Sequence, residues 1–118
     1  MHELPVTREI MRIALEYAES NNANSIVSVT LRVGAIQNFI EDITQKYWDF
    51  ISRGTIAEGA KVKFINVPTT FACKECEEVY RVEIRDIEVI SCPKCESSEA
   101  VLLTGKELSV EGIEIMTQ

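Results

Sequence analysis

Four cysteines in two matched pairs are the residues of this chain most plainly suited to chemistry. Cys73-Lys-Glu-Cys76 and Cys92-Pro-Lys-Cys95 are separated by 15 residues, 77–91. That spacing matches the two-pair pattern read as a tetrahedral thiolate site. Two cysteines three positions apart on a tight turn aim both sulfurs at one ion, and a second such turn completes the tetrahedron. Two disulfides are the competing reading, but a chain kept in a reducing compartment disfavours them. A redox pair would need no matching partner pair. Zinc is the expected ion, because a filled four-cysteine site has no open position and is structural. Iron in the same cage, as in a rubredoxin-like electron carrier, is the alternative.

The other candidate lies at the opposite end. His2 is the only histidine. The amine of Met1, the His2 amide nitrogen and the His2 imidazole form fused five- and six-membered chelate rings, and planar nitrogen donors suit Ni(II) or Cu(II). Glu3 adds an amide nitrogen or a carboxylate. The plain reading is a loose chain end.

Around these sites, periodicity sets out the elements. Ile10, Ile13, Ala14, Tyr17 and Ala18 recur at helical spacing, so residues 5–21 read as an amphipathic helix with Pro5 in its first turn. Val27, Val29, Leu31 and Val33 alternate with polar residues as a strand ending at Gly34. Asn38 and Glu41 resemble a capping box opening a second helix, with Ile40, Ile43, Tyr47 and Phe50/Ile51 on one face and Gly54 as its C′ residue. Trp48 reads as core. Residues 61–67 form a strand stopped by Pro68. A cysteine module follows at 70–104, with short strands expected at 79–84 and 88–91. A last strand, 106–115, changes apolar phase across Gly112, as a bulge would make it do. The expected fold is α+β: a small three-stranded sheet with two helices plus an inserted four-cysteine, zinc-ribbon-like module. The expected domains are 1–69, completed by 105–118, and the module at 70–104.

Composition narrows the function. The 118 residues are 46% hydrophobic and 26% charged, the balance of a globular chain. No apolar run is long enough to span a membrane. Arg8, Glu9, Arg12, Glu16 and Glu19 break any secretory core, which points to a cytoplasmic protein. The net charge is −7, and the module holds eight acidic residues against four basic ones. A zinc-ribbon nucleic-acid binder would need a basic surface, so no nucleic acid is expected as partner. With no nucleophile–base pair in view, an enzyme is not expected either.

Together these residues resemble the HypA/HybF family of nickel-insertion accessory proteins. The resemblance runs through Met1-His2-Glu3-Leu4, Val33-Gly34, Gly54-Thr-Ile-Ala-Glu-Gly59-Ala60, Pro68, the two cysteine pairs, Gly105-Lys-Glu107-Leu108 and Gly112-Ile-Glu-Ile115. It implies a metallochaperone that binds Ni(II) at Met1, His2 and Glu3 and structural zinc at Cys73, Cys76, Cys92 and Cys95. The implied partners are a nucleotide-hydrolysing nickel supplier, HypB, and the large subunit of nickel–iron hydrogenase, or urease assembly proteins in some bacteria. A homodimer is compatible with it. The chain departs from the family at Ala35-Ile36, where Glu-Leu is usual. It departs again at Glu77 and Glu96, where glycine commonly follows each cysteine pair.

Overall fold

The described residues fold into two helices and two small sheets, an α+β arrangement. The computed structural model describes residues 3–87 and 89–117. Helix α1 spans Glu3–Ser20 and α2 spans Glu41–Ile51. The strands are β1 Ser25–Gly34, β2 Lys61–Val67, β3 Thr70–Cys73, β4 Val79–Arg81, β5 Ala100–Thr104 and β6 Leu108–Met116. One sheet has the order β2-β1-β6 and the other β4-β3-β5. The chain divides into two compact units. The first runs through Arg32 and adds Phe39–Ile65 and the residues from Ser109 on; the second is Val33–Asn38 with Asn66–Leu108.

In the first unit, α1 packs on α2. Ile10, Met11, Ala14 and Ala18 are buried on α1, as are Val29 and Leu31 on β1. Trp48 is fully buried, and its indole N–H donates to the Ala57 carbonyl at 3.1 Å. That bond removes the cost of burying an unpaired indole nitrogen. β1 is held to β6 at both ends: the Asn24 N–H donates to Met116 O at 2.7 Å and the Gly34 N–H to Glu107 O at 2.8 Å. The two strands are therefore antiparallel. On β6 the half-buried residues are Val110, Ile113 and Ile115. The inward phase does shift by one residue across Gly112, as the sequence suggested.

Several local expectations fail for identifiable reasons. The buried stripe of α1 runs through Thr7 and Met11 rather than Ile13 and Tyr17, the latter 45% exposed. Both stripes satisfy the 3.6-residue period, and packing selects the one centred on Ala14. On α2 the buried pair is Thr44 and Trp48, and Ile40 and Phe50 are exposed. At the start of β1, Ile26 and Ser28 are buried and Val27 is 45% exposed. Asn38 is not an N-cap. It closes a 3-10 turn at Ala35–Gln37 with φ 55°, a conformation asparagine tolerates better than most residues. Ile40 then takes the N-cap position, with no side-chain cap bond.

The second unit differs most from expectation. The short strand expected at 79–84 stops at Arg81, and Ile84–Asp86 form a 3-10 turn. Of the strand expected at 88–91, Glu88 lies outside the described residues, and Val89, Ile90 and Ser91 are not in a strand. The β4 partner is instead β3, with Phe71 opposite Tyr80, while β5 covers the other edge of β3.

Candidate metal centre

Each cysteine pair sits on a turn of the same design. In the first, the Glu75 N–H points at Cys73 Sγ at 3.4 Å and the Glu77 N–H donates to Cys73 O at 3.0 Å. The Cys73 N–H donates to Glu78 O at 2.8 Å. The second repeats this register: Lys94 N–H to Cys92 Sγ at 3.4 Å, Glu96 N–H to Cys92 O at 2.8 Å and Cys92 N–H to Ser97 O at 2.9 Å. Both turns close through a residue in the left-handed region. Glu77 and Glu96 have φ 66°. These are the two positions where glycine is usual in the family resembled, so the departure read from the sequence falls on the strained residues.

β3 ends at Cys73 and the chain returns through β4, while β5 follows the second turn and pairs with β3. The result brings all four sulfurs within 4.8 Å of one another. Across the turns, Cys73 Sγ lies 3.5 Å from Cys95 Sγ, and Cys76 Sγ 3.5 Å from Cys92 Sγ. A disulfide would hold its sulfurs about 2.05 Å apart, and all four cysteines are free thiols. Zinc–sulfur bonds of ~2.3 Å in a tetrahedron separate the sulfurs by ~3.8 Å. The observed spacing fits that ion. Cys73 and Cys92 are buried, Cys76 is half-buried and Cys95 is exposed.

Electrostatics give the same answer. The backbone N–H of Cys76 brings the Cys73 thiol down to about 7. Cys92 is pushed up by burial but brought down on balance by the amides of Cys95 and Lys94. The Ser97 amide favours ionised Cys95, yet hydrogen bonding to Cys73 and burial push that thiol up to about 12. Cys76, despite the Glu78 amide, is raised by burial and by Cys92. Two of the thiols are thus lowered and two raised, and a divalent cation is what lets all four ionise together. Beneath them lies a small core of Phe71, Tyr80, Cys73 and Cys92, in which the two rings stack at 6.2 Å. Burial, and then the negative sulfurs, keep the Tyr80 hydroxyl protonated.

Among the described residues no other set of three or more His, Cys, Asp or Glu side chains converges in this way. Met1 and His2 lie outside the described residues. Glu3 is the first residue of α1 and is 5% exposed. It belongs to the first unit and the cysteines to the second. Sequence reasoning missed Tyr80, whose only signal was the Val79-Tyr80-Arg81-Val82 alternation.

Over residues 1–115 the chain matches the family model described as hydrogenase/urease nickel incorporation, metallochaperone, HypA. The chain belongs to the HypA family. It is 32% identical over 116 residues to the hydrogenase maturation factor HypA of Picosynechococcus, covering 98% of this chain and all of that one. The factor of the same name from Pyrococcus furiosus is 32% identical, with 98% and 96% covered. That of Dehalococcoides mccartyi strain 195 is 30% identical, with 98% and 94% covered. The fold matches the solution structure of the nickel metallochaperone HypA from Helicobacter pylori with a TM-score of 0.62 at 21% identity over the whole of both chains. A second solution structure of HypA protein matches with a TM-score of 0.70 at 20% identity, covering all of this chain and 98% of that one. HypA proteins are accessory factors of hydrogenase maturation, and the four-cysteine cluster is the metal-binding feature this HypA-family chain displays. Among the described residues no helix is long and apolar enough to cross a membrane.

Proposed function

We propose that this chain is a nickel metallochaperone that binds Ni(II) through Met1, His2 and Glu3 and helps insert it into nickel–iron hydrogenase, with zinc held structurally by Cys73, Cys76, Cys92 and Cys95. The observation that carries the reading is the family match, which begins at residue 1 and so takes in the Met-His-Glu segment. The start of α1 supports it. Glu3 opens the described part of α1, and the first N–H groups of a helix have no partner within the helix. The two metals divide the work. Transfer proceeds by ligand exchange and needs donors at a chain end, whereas a closed thiolate cage supplies folding free energy and holds its ion. The chain performs no covalent chemistry of its own. It takes nickel from a HypB-like nucleotide-hydrolysing supplier in the cytoplasm and passes it to the hydrogenase large subunit, or to urease assembly proteins.

Complementation tests this reading. In a bacterium deleted for its own HypA, this chain should restore nickel–iron hydrogenase activity, and the His2→Ala variant should not. Equal restoration by both, or by neither when both are expressed and folded, contradicts the proposal.

A further inference from the structure

On helix α1, Arg8, Met11, Leu15 and Glu19 follow one another at steps of three and four residues, so they form one row along the helix. The row borders two open hollows of the first unit. One, of about 510 Å³, is lined by Arg8, Met11, Arg12, Leu15 and Ile51. The other, of about 500 Å³, is lined by Leu15, Glu19, Asn22, Ala23 and Ile56. Leu15 lines both and so divides one groove in two. Met11 is buried, and Leu15, Ile51 and Ile56 are half-buried. Arg12 bonds Glu9 and Glu16 of its own helix. Arg8 and Glu19, at the two ends of the row, are exposed and have no ion pair among the described residues. No lining residue belongs to a strand, so an extended partner finds no sheet edge here.

We propose that this groove joins two copies of the chain, their α1 helices antiparallel across a two-fold axis. The row reads basic, apolar, apolar, acidic from one end and acidic, apolar, apolar, basic from the other. A two-fold contact demands that self-complementarity, because if one residue meets a second, the second meets the first across the axis. The axis that sets Arg8 of one copy against Glu19 of the other also sets Leu15 against Met11 and Arg12, over the first hollow. Leu15 enters that hollow as a knob enters a hole, once from each copy. Both lone charges gain a partner of opposite sign. The family resemblance allows a homodimer, and the row locates its surface on α1 in the first unit. An interface built on one helix pair is small, so the dimer is reversible.

The test is sedimentation equilibrium of the zinc-loaded full chain from micromolar to millimolar concentration. Physiological salt screens the general repulsion between two copies of net charge −7 and leaves close pairs acting. The native chain should dimerise reversibly. Arg8→Glu and Glu19→Arg each place two like-charge pairs in the contact and should each weaken it roughly tenfold. Combined in one chain, the two changes exchange the charges and should restore the native dissociation constant. Both side chains are exposed, so zinc content and fold should stay as they are. His2→Ala should dimerise as the native chain does, which separates this result from the nickel reading. A chain that stays monomeric at millimolar concentration leaves the groove to another partner and overturns the proposal. So does a dimer that neither single reversal weakens, or one that the double reversal fails to restore.

Discussion

Glu77 and Glu96 occupy the same place in two different turns, one residue past the second cysteine of each pair, and both have φ 66°. A side chain with a Cβ is disfavoured there by roughly 1 kcal/mol per residue. Their N–H groups are nonetheless needed, each bonding the carbonyl of the first cysteine. Glu77→Gly and Glu96→Gly should therefore each stabilise the zinc-loaded second unit by about 1 kcal/mol. Urea unfolding of the zinc form reads this directly, and a lower midpoint in either variant contradicts it.

Gly34 has no room for a side chain. A Cβ built there would lie 2.1 Å from the carbonyl carbon and oxygen of Gly105. Both are backbone atoms, held by the Ile36 N–H donating to Gly105 O at 2.8 Å. Gly34→Ala should cost about 1–3 kcal/mol or more. Gly112→Ala, where a Cβ meets nothing within 4 Å, is the matched control and should be close to neutral.

Zinc removal should affect the two units unequally. Cys73→Ala leaves three thiolates and removes one of the four buried residues of the small core beneath them, Phe71, Tyr80, Cys73 and Cys92, whose neighbours such as Val82, Ile90 and Leu102 are only partly buried. The first unit has its own core around Trp48, Val29 and Leu31. In NMR spectra, the amides of residues 70–104 should lose dispersion and those of α1, α2 and β1 should keep it. A variant that retains one tightly held zinc and an unchanged spectrum would refute the structural role.

The Ser28 hydroxyl, and after it the Lys63 ammonium at 3.2 Å, holds the Glu114 carboxyl below its ordinary range. A depressed carboxyl stabilises the folded state above its unfolded value of about 4.5 and loses that contribution as pH falls through its folded value. Stability should thus drop below pH 4.5 more steeply in the native chain than in Glu114→Gln. Parallel pH profiles would show that Glu114 contributes nothing.

Much of this was legible from residue order, and the reasons for the rest are specific. The cysteine cluster could be read because its ligands are fixed by spacing within two short turns. Trp48 as core and the phase shift across Gly112 rest on similarly local patterns. The buried face of α1 could not, because Met11 and Ile13 belong to two overlapping stripes that only tertiary packing distinguishes. Asn38 serves N-caps and left-handed turns alike, and the chain uses it for the second. β3 and β5 went unseen because short strands beside a cysteine turn need little alternation of their own. Tyr80 is concealed for a different reason: its burial depends on its pairing with Phe71 on β3, a strand the sequence reading did not find.

The nickel assignment meets its most direct test in a pH-resolved competition experiment on three proteins: the chain beginning at Met1, the His2→Ala variant, and a version with one residue added before Met1. The proposed donors are an amine with an ordinary pKa of about 7.7–8.0 and an imidazole of about 6.5, and both must lose protons to bind. Nickel affinity in the first protein should fall steeply from about pH 8 to pH 6, while the four-thiolate zinc stays bound. The other two should lose nickel binding and keep zinc content and fold. Equal nickel affinity in all three would contradict the amino-terminal site.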